Sequence, residues 1–110
     1  MIQIEQSDRE GVPVVSVSGT IDMYSSSELK ERLDGHVGQK AARVVVDLEG
    51  IDFIDSSGLA TLVDAQRHMK AYSGRLQLAA LPTRVEAVVR LMHLTKVFEI
   101  HTSVDEALSA

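Results

Sequence analysis

Cysteine is absent from the chain, and so is tryptophan. Without a thiol there is no disulfide framework, no cysteine nucleophile and no Cys-ligated zinc or iron–sulfur centre, and the absence fits a reducing compartment. Aromatic side chains are scarce, two Tyr and two Phe, and no cluster of Lys and Arg accompanies them. The stacking platforms and basic grooves of nucleic-acid binders are therefore missing, and no nucleic-acid partner is expected. Only two prolines occur, and no repeat or Pro/Gly-rich linker divides the 110 residues, so residues 1–110 read as one domain. The longest uncharged run, Gly11 to Ile21, holds two glycines, a proline and three polar residues and is too short to span a bilayer. Glu5, Asp8, Arg9 and Glu10 stand where a secretory leader would be apolar. No membrane partner is expected, and a cytoplasmic location follows.

Apolar residues at 45% and charged residues at 25% are the proportions of an ordinary globular domain. A chain of this length buries roughly 65% of its unfolded surface, enough for a core without staples. The net charge of −5 is unevenly spread: residues 1–55 hold eleven acids and five bases, residues 56–110 five acids and six bases. Such a field steers towards a basic protein partner or towards none.

Ile2, Ile4 and Gln6 alternate with Gln3, Glu5 and Ser7, the polar turn Asp8 to Gly11 follows, and alternation resumes from Val12 to Ser18. This predicts a β-hairpin, with Pro13 near the start of its second strand. Ser25 and Glu28 have capping-box spacing ahead of Leu29, Leu33 and Val37, so a helix is expected over 25–37. Ala42 to Leu48, with Val44, Val45 and Val46 in a row, predicts a strand covered on both faces. A second helix is expected from Asp55 to about Tyr72, with Leu59, Leu62, Val63 and Met69 on one stripe and Gly74 ending it. Leu76 to Ala79 reads as a strand. Pro82 and the box Thr83…Glu86 open a third helix carrying Val85, Val88, Val89 and Met92; Val97 to Ile100 reads as a strand, and Ser103…Glu106 opens a last helix. The order is β-β-α-β-α-β-α-β-α, an α/β chain whose sheet is antiparallel in the hairpin and largely parallel after it, with helices packed on it.

The stretch from Asp47 to Leu59 joins the buried strand to the second helix and carries Asp47, Glu49, Asp52 and Asp55. With Asp55 as N-cap, position N3 falls on Gly58, which costs about 1 kcal/mol relative to alanine. Glycine there is expected to leave the first-turn N–H groups open, with Ser56 and Ser57 beside the positive end of the helix dipole. That combination suits an anion, and a phosphoserine is one that could be attached covalently; Asp-Ser-Ser-Gly is equally a plain capping sequence. A nucleotide loop of the form G-x-x-x-x-G-K-[ST] is missing.

The segment Val44 to Leu62, with Val44-Val45-Val46-Asp47-Leu48, Phe53-Ile54 and Asp55-Ser56-Ser57-Gly58-Leu59, resembles the core signature of STAS domains, above all the single-domain anti-sigma factor antagonists. Val17-Ser18-Gly19-Thr20-Ile21-Asp22 and Leu91 to Ile100 extend the resemblance over nearly the whole chain. It implies a STAS-type mixed sheet and an antagonist that, unphosphorylated, binds an anti-sigma factor and frees a sigma factor. It further implies that the anti-sigma factor is a serine kinase that phosphorylates Ser56, and that a serine phosphatase is a second partner. Asp22 is then expected on a loop beside Ser56, with Asp55, Ser57 and Gly58 completing the partner-binding surface; no cofactor is implied. Many members have glycine after the third helix where this chain has His93, a residue type that tolerates left-handed backbone.

Other chemistry fits less well. His36, His68, His93 and His101 are scattered without an H-E-x-x-H pattern, so no metal site is expected. G-x-S-x-G is missing, which counts against a Ser-His-Asp triad on Ser56 or Ser57. The four acids of 47–55 are expected on a solvated loop, although they could attract a cation such as Mg²⁺ during phosphorylation. A receiver domain wants acids at the end of its first strand, where this chain has Gln6-Ser7. Two readings stay open beside the first: a STAS subunit that regulates a transporter or scaffolds a complex without phosphorylation, and a small nucleotide-binding or hydrolysing enzyme.

Overall fold

The computed structural model describes residues 2–110. Strands β1 (Ile2–Arg9) and β2 (Val12–Ile21) form the hairpin, closed by Glu10 and Gly11 at φ +57° and +86°. Two successive positive φ values make the turn that matches the right-handed twist of paired strands, and glycine takes the second at no steric cost. Helix α1 (Ser26–Gly38), strand β3 (Arg43–Ile54), helix α2 (Ser56–Lys70), strand β4 (Arg75–Ala79), helix α3 (Thr83–Leu91), strand β5 (Glu99–His101) and helix α4 (Val104–Ser109) follow. The sheet order is β1-β2-β3-β4-β5, antiparallel only between β1 and β2. This is the element order and mixed sheet expected from the sequence.

Alternation along β3 divides the core in two. Val44, Val46 and Leu48 face a large cluster with Leu29 and Leu33 of α1, Leu59, Leu62, Ala65 and Met69 of α2, and Val85 and Val89 of α3. Val45 faces the other way, against Val14, Ala79 and Ala107 of α4. The three crossover helices thus cover one face and α4 part of the other.

Several local expectations are corrected. Strand β3 does not stop at Leu48: it runs to Ile54 beside β2, with register shifts between Ser16 and Ser18 and between Gly19 and Thr20. Asp47, Glu49 and Asp52 therefore stand on a strand, not on a solvated loop, because Leu48, Ile51 and Ile54 are apolar enough to bury the inner face. Of the three capping boxes one forms in part, Ser103 Oγ accepting from Glu106 N at 3.0 Å while Glu106 accepts from Thr102 N, one residue ahead of the cap, at 2.9 Å. Ser25 makes no cap bond, and α3 begins behind Pro82 without one, its Glu86 pairing with Arg90 instead. Met92 is exposed beyond the end of α3, not part of its buried stripe, and β5 starts at Glu99, two residues later than the Val97 onset. His93 takes φ +58° with its N–H on Arg90 O, so the turn survives without glycine.

A candidate docking site at the C-terminal ends of β2 and β3

Ile21 of β2 pairs with Ile54 of β3, and both are fully buried. Asp55 N then donates to Ile21 O at 3.0 Å, which draws the two chain exits, Asp22 and Asp55, side by side at the C-terminal edge of the parallel strands. Open α/β sheets present their sites at that edge.

Asp22 organises the first loop. Its Oδ1 accepts from Tyr24 N at 2.9 Å and Ser25 N at 3.0 Å, and Asp22 N donates to Ser25 Oγ at 2.9 Å. The Ser25 hydroxyl, buried, donates to Thr20 O at 2.8 Å, so it serves this loop and not the start of α1. The Ser25 backbone N–H, ahead of the Ser25 hydroxyl and Tyr24 N–H, holds the Asp22 carboxyl below the usual carboxylate range. The loop consequently carries a fixed negative charge.

Asp55 is the N-cap of α2, in extended backbone, and its Oδ1 accepts from Ser57 N at 2.9 Å and Gly58 N at 3.2 Å. The glycine at N3 therefore does not leave those N–H groups open to an external anion; the chain's own carboxylate holds them. Gly58 is there for packing. A Cβ on it would stand 2.6 Å from both Ile21 Cγ2 and Ile54 Cγ1. It lies buried beneath the surface, whereas Asp55 and Ser57 are half-buried and Ser56, the first residue of α2, is exposed. Thr61 Oγ1 donates to Ser57 O at 3.1 Å.

The sequence reading missed three residues of the same edge: Met23 and Tyr24 on the Asp22 loop and Phe53 near the end of β3 are large, apolar and exposed. A signal existed for Phe53, since Ile51 and Ile54 take the inward positions of the extended strand. The surface is an exposed hydroxyl set among carboxylates and unpaired apolar side chains, which is the composition of a protein-docking patch. Among the described residues no group of three or more His, Asp or Glu is placed to hold a metal. His36 Nε2 is 2.9 Å from Gln6 Oε1 and His101 Nε2 is 2.8 Å from Glu99 Oε2, each far along the chain from α2's first turn. No helix of the described residues is long and apolar enough to cross a membrane.

A mixed sheet that opens with a hairpin, with a capped Ser-Ser-Gly helix start and an apolar rim at its C-terminal edge, defines a small α/β domain with an exposed, partly apolar surface at that edge. The profile of the STAS domain matches residues 2–107, and the chain belongs to that family. It is 27% identical over 108 residues to the anti-sigma-F factor antagonist RsfB of Mycobacterium tuberculosis, covering 98% of this chain and 88% of that one. The crystal structure of an anti-sigma factor antagonist from Mycobacterium paratuberculosis superimposes with a TM-score of 0.91 at 29% identity, over 99% of this chain and 92% of the other. The phosphorylated form of the Bacillus cell fate determinant SpoIIAA shares the fold, with a TM-score of 0.74 at 22% identity over 99% and 97% of the two chains.

Proposed function

We propose that this protein is an anti-sigma factor antagonist: a binding protein without a catalytic step of its own, which holds an anti-sigma factor on the Ser56 surface and so releases a sigma factor. Phosphorylation of Ser56 by a partner with serine kinase activity switches the contact off, and a serine phosphatase restores it. The observation that carries this reading is the placement of Ser56, exposed at the first position of α2 while Asp55 occupies the N–H groups of Ser57 and Gly58.

A phosphate on Ser56 gains little from the helix end, since those donors are taken, and stands against Asp55 and the charged Asp22 loop. It adds about −1.5 to −2 charges. Opposite one partner carboxylate at ~6 Å with an effective dielectric of ~40, two charges cost roughly 3 kcal/mol. That corresponds to about a hundredfold in affinity. A docking face that works by repulsion needs no pocket for the phosphate.

The test combines mass spectrometry and calorimetry. Incubation with ATP and the anti-sigma kinase should add one phosphate, lost in Ser56→Ala. Ser56→Ala should bind the kinase as wild type does, and Ser56→Asp should bind more weakly, by about tenfold or more because its single charge is half that of phosphate. Equal affinity of wild type and Ser56→Asp would refute the charge mechanism.

A further inference from the structure

Six large apolar side chains are exposed among the described residues, and they fall into two groups. Met23, Tyr24 and Phe53, at 66, 85 and 43% exposure, lie on the Asp22 loop and near the end of β3, the two segments that meet at the edge carrying Ser56. Leu91, Met92 and Val97, at 77, 51 and 38%, lie at the last residue of α3 and in the turn that leads from it to β5. Helix α3 leaves the end of β4 and returns to the start of β5, which is parallel to β4. The second group therefore sits at the opposite end of the molecule from Ser56.

The ends also differ in charge. Beside Ser56 stand Asp22, Asp52 and Asp55, with Arg84 as the local base, its Nη1 donating to Asp52 O at 3.3 Å. At the other end the segments after α1 and α3 and the last residue of α2 present Lys40, Lys96 and Lys70, all exposed, while Arg90 beside Leu91 is paired with Glu86 and Glu99 of β5 with Arg75. Asp8 and Glu10 of the hairpin turn share this end but lie under β1, four strands from β5, about 19 Å away at ordinary strand spacing. Bases in the last turns of helices, here Lys70 and Arg90, offset the helix dipole, and Lys40 and Lys96 lie close beyond such ends. That accounts for part of the charge, but not for three exposed apolar side chains gathered beside it, where single ones are the norm.

We propose that the α3–β5 turn is a docking surface for the Ser56 end of a second copy of this chain. Each patch has an apolar centre, and their rims are opposite in sign, which is the complementarity that orients two proteins on encounter. A second copy is the occupant both of whose faces are visible in one molecule. The contact joins unlike patches, so it adds copies head to tail and does not close on a two-fold axis. It covers Tyr24 and Phe53, so a copy held in this way cannot present them to another protein. Neither a kinase nor an anti-sigma factor enters the inference, and its test contains neither.

Sedimentation equilibrium over a concentration series at low salt, with circular dichroism to verify folding, tests it. Wild type should show a mass that rises with concentration and falls back as salt is added. Tyr24→Lys, which spoils the Ser56 end, and Leu91→Asp, which spoils the turn, should each remain monomeric. An equimolar mixture of the two should stop at dimers, because each variant retains the end the other lacks. Lys96→Glu, at an exposed position outside helix and strand, keeps the apolar turn and should weaken association by at least about tenfold. A wild type that stays monomeric to about millimolar concentration would overturn the proposal. So would variants that still self-associate, or a mixture that fails to form dimers.

Discussion

Gly58 shows how one residue can be placed correctly and understood wrongly from sequence. The N3 position follows from Asp55 as N-cap, and both hold in the structure. The reason for glycine lies in Ile21 and Ile54, whose Cγ2 methyl and Cγ1 methylene respectively stand 2.6 Å from where its Cβ would be. Two opposing effects can be compared. Alanine gains up to about 1 kcal/mol of helix propensity, while overpacking a closed core costs typically 1–3 kcal/mol. Overpacking should win because both contacts are with fully buried isoleucines. Gly58→Ala is expected to lower stability by about 1 kcal/mol or more, read as a lower urea midpoint at unchanged m-value. A rise in the midpoint would show that the isoleucines yield. Asp22 was equally legible as a loop residue, but not as the loop's organiser, since its bonds to Tyr24 and Ser25 N–H depend on the turn they create. Asp22→Ala should therefore cost about 1 kcal/mol of stability, as lost caps do, in addition to any effect on partner binding. Chemical denaturation of the variant beside Ser56→Ala separates the two effects.

At the scale of elements, the order of strands and helices was legible because the periods are clean: Val44 to Val46 mark a strand covered on both faces, and the apolar stripe of α2 a helix. Boundaries were not, wherever tertiary contacts supply what the local pattern lacks. Residues 49–54 alternate poorly and carry a glycine and two charged side chains, Glu49 and Asp52, yet they form strand because β2 lies alongside to take their hydrogen bonds. Gln77 is the clearest case. In Leu76-Gln77-Leu78-Ala79 it reads as an outward position, but α4 covers that face and the side chain is fully buried. Arg43 Nε donates to its Oε1 at 2.7 Å, and its Nε2 donates to Ala107 O at 2.8 Å and Glu99 Oε2 at 2.7 Å. Through this clasp the last helix is tied to β3, β4 and β5. Glu99 is its titrating member. Partial burial raises its pKa, but hydrogen bonds from Arg75, His101 and Gln77 outweigh that and bring it to about 2. The group is lowered in the folded state, so its contribution is complete above the unfolded carboxylate range and fades as pH falls from about 4.5 towards 2. Glu99→Gln should flatten the stability profile between pH 5 and pH 2. An unchanged slope there would show that other carboxylates set the acid limit.

Over the whole molecule, one sheet separates two structures with different tasks. The face under α1, α2 and α3 holds the large core and, at its C-terminal edge, the Ser56 surface; the face under α4 holds the small cluster and the Gln77 clasp. The shared wall is β3, whose Val44 and Val46 point one way and Val45 the other. Gly58 packs on Ile21 and Ile54 at the far end of β3 from Arg43 and Val45, so a disturbance at one site reaches the other only through several strand residues. Gln77→Leu alone should cost roughly 1–3 kcal/mol, since the Ala107 carbonyl and Arg43 lose a buried partner. Sites without shared partners usually combine additively to within about 0.5 kcal/mol. The double variant Gly58→Ala/Gln77→Leu should therefore lose the sum of the two single losses in urea denaturation. A coupling of about 1 kcal/mol or more, of either sign, would show that β3 transmits strain from the α4 face to the Ser56 edge, and would make the last helix part of the docking apparatus.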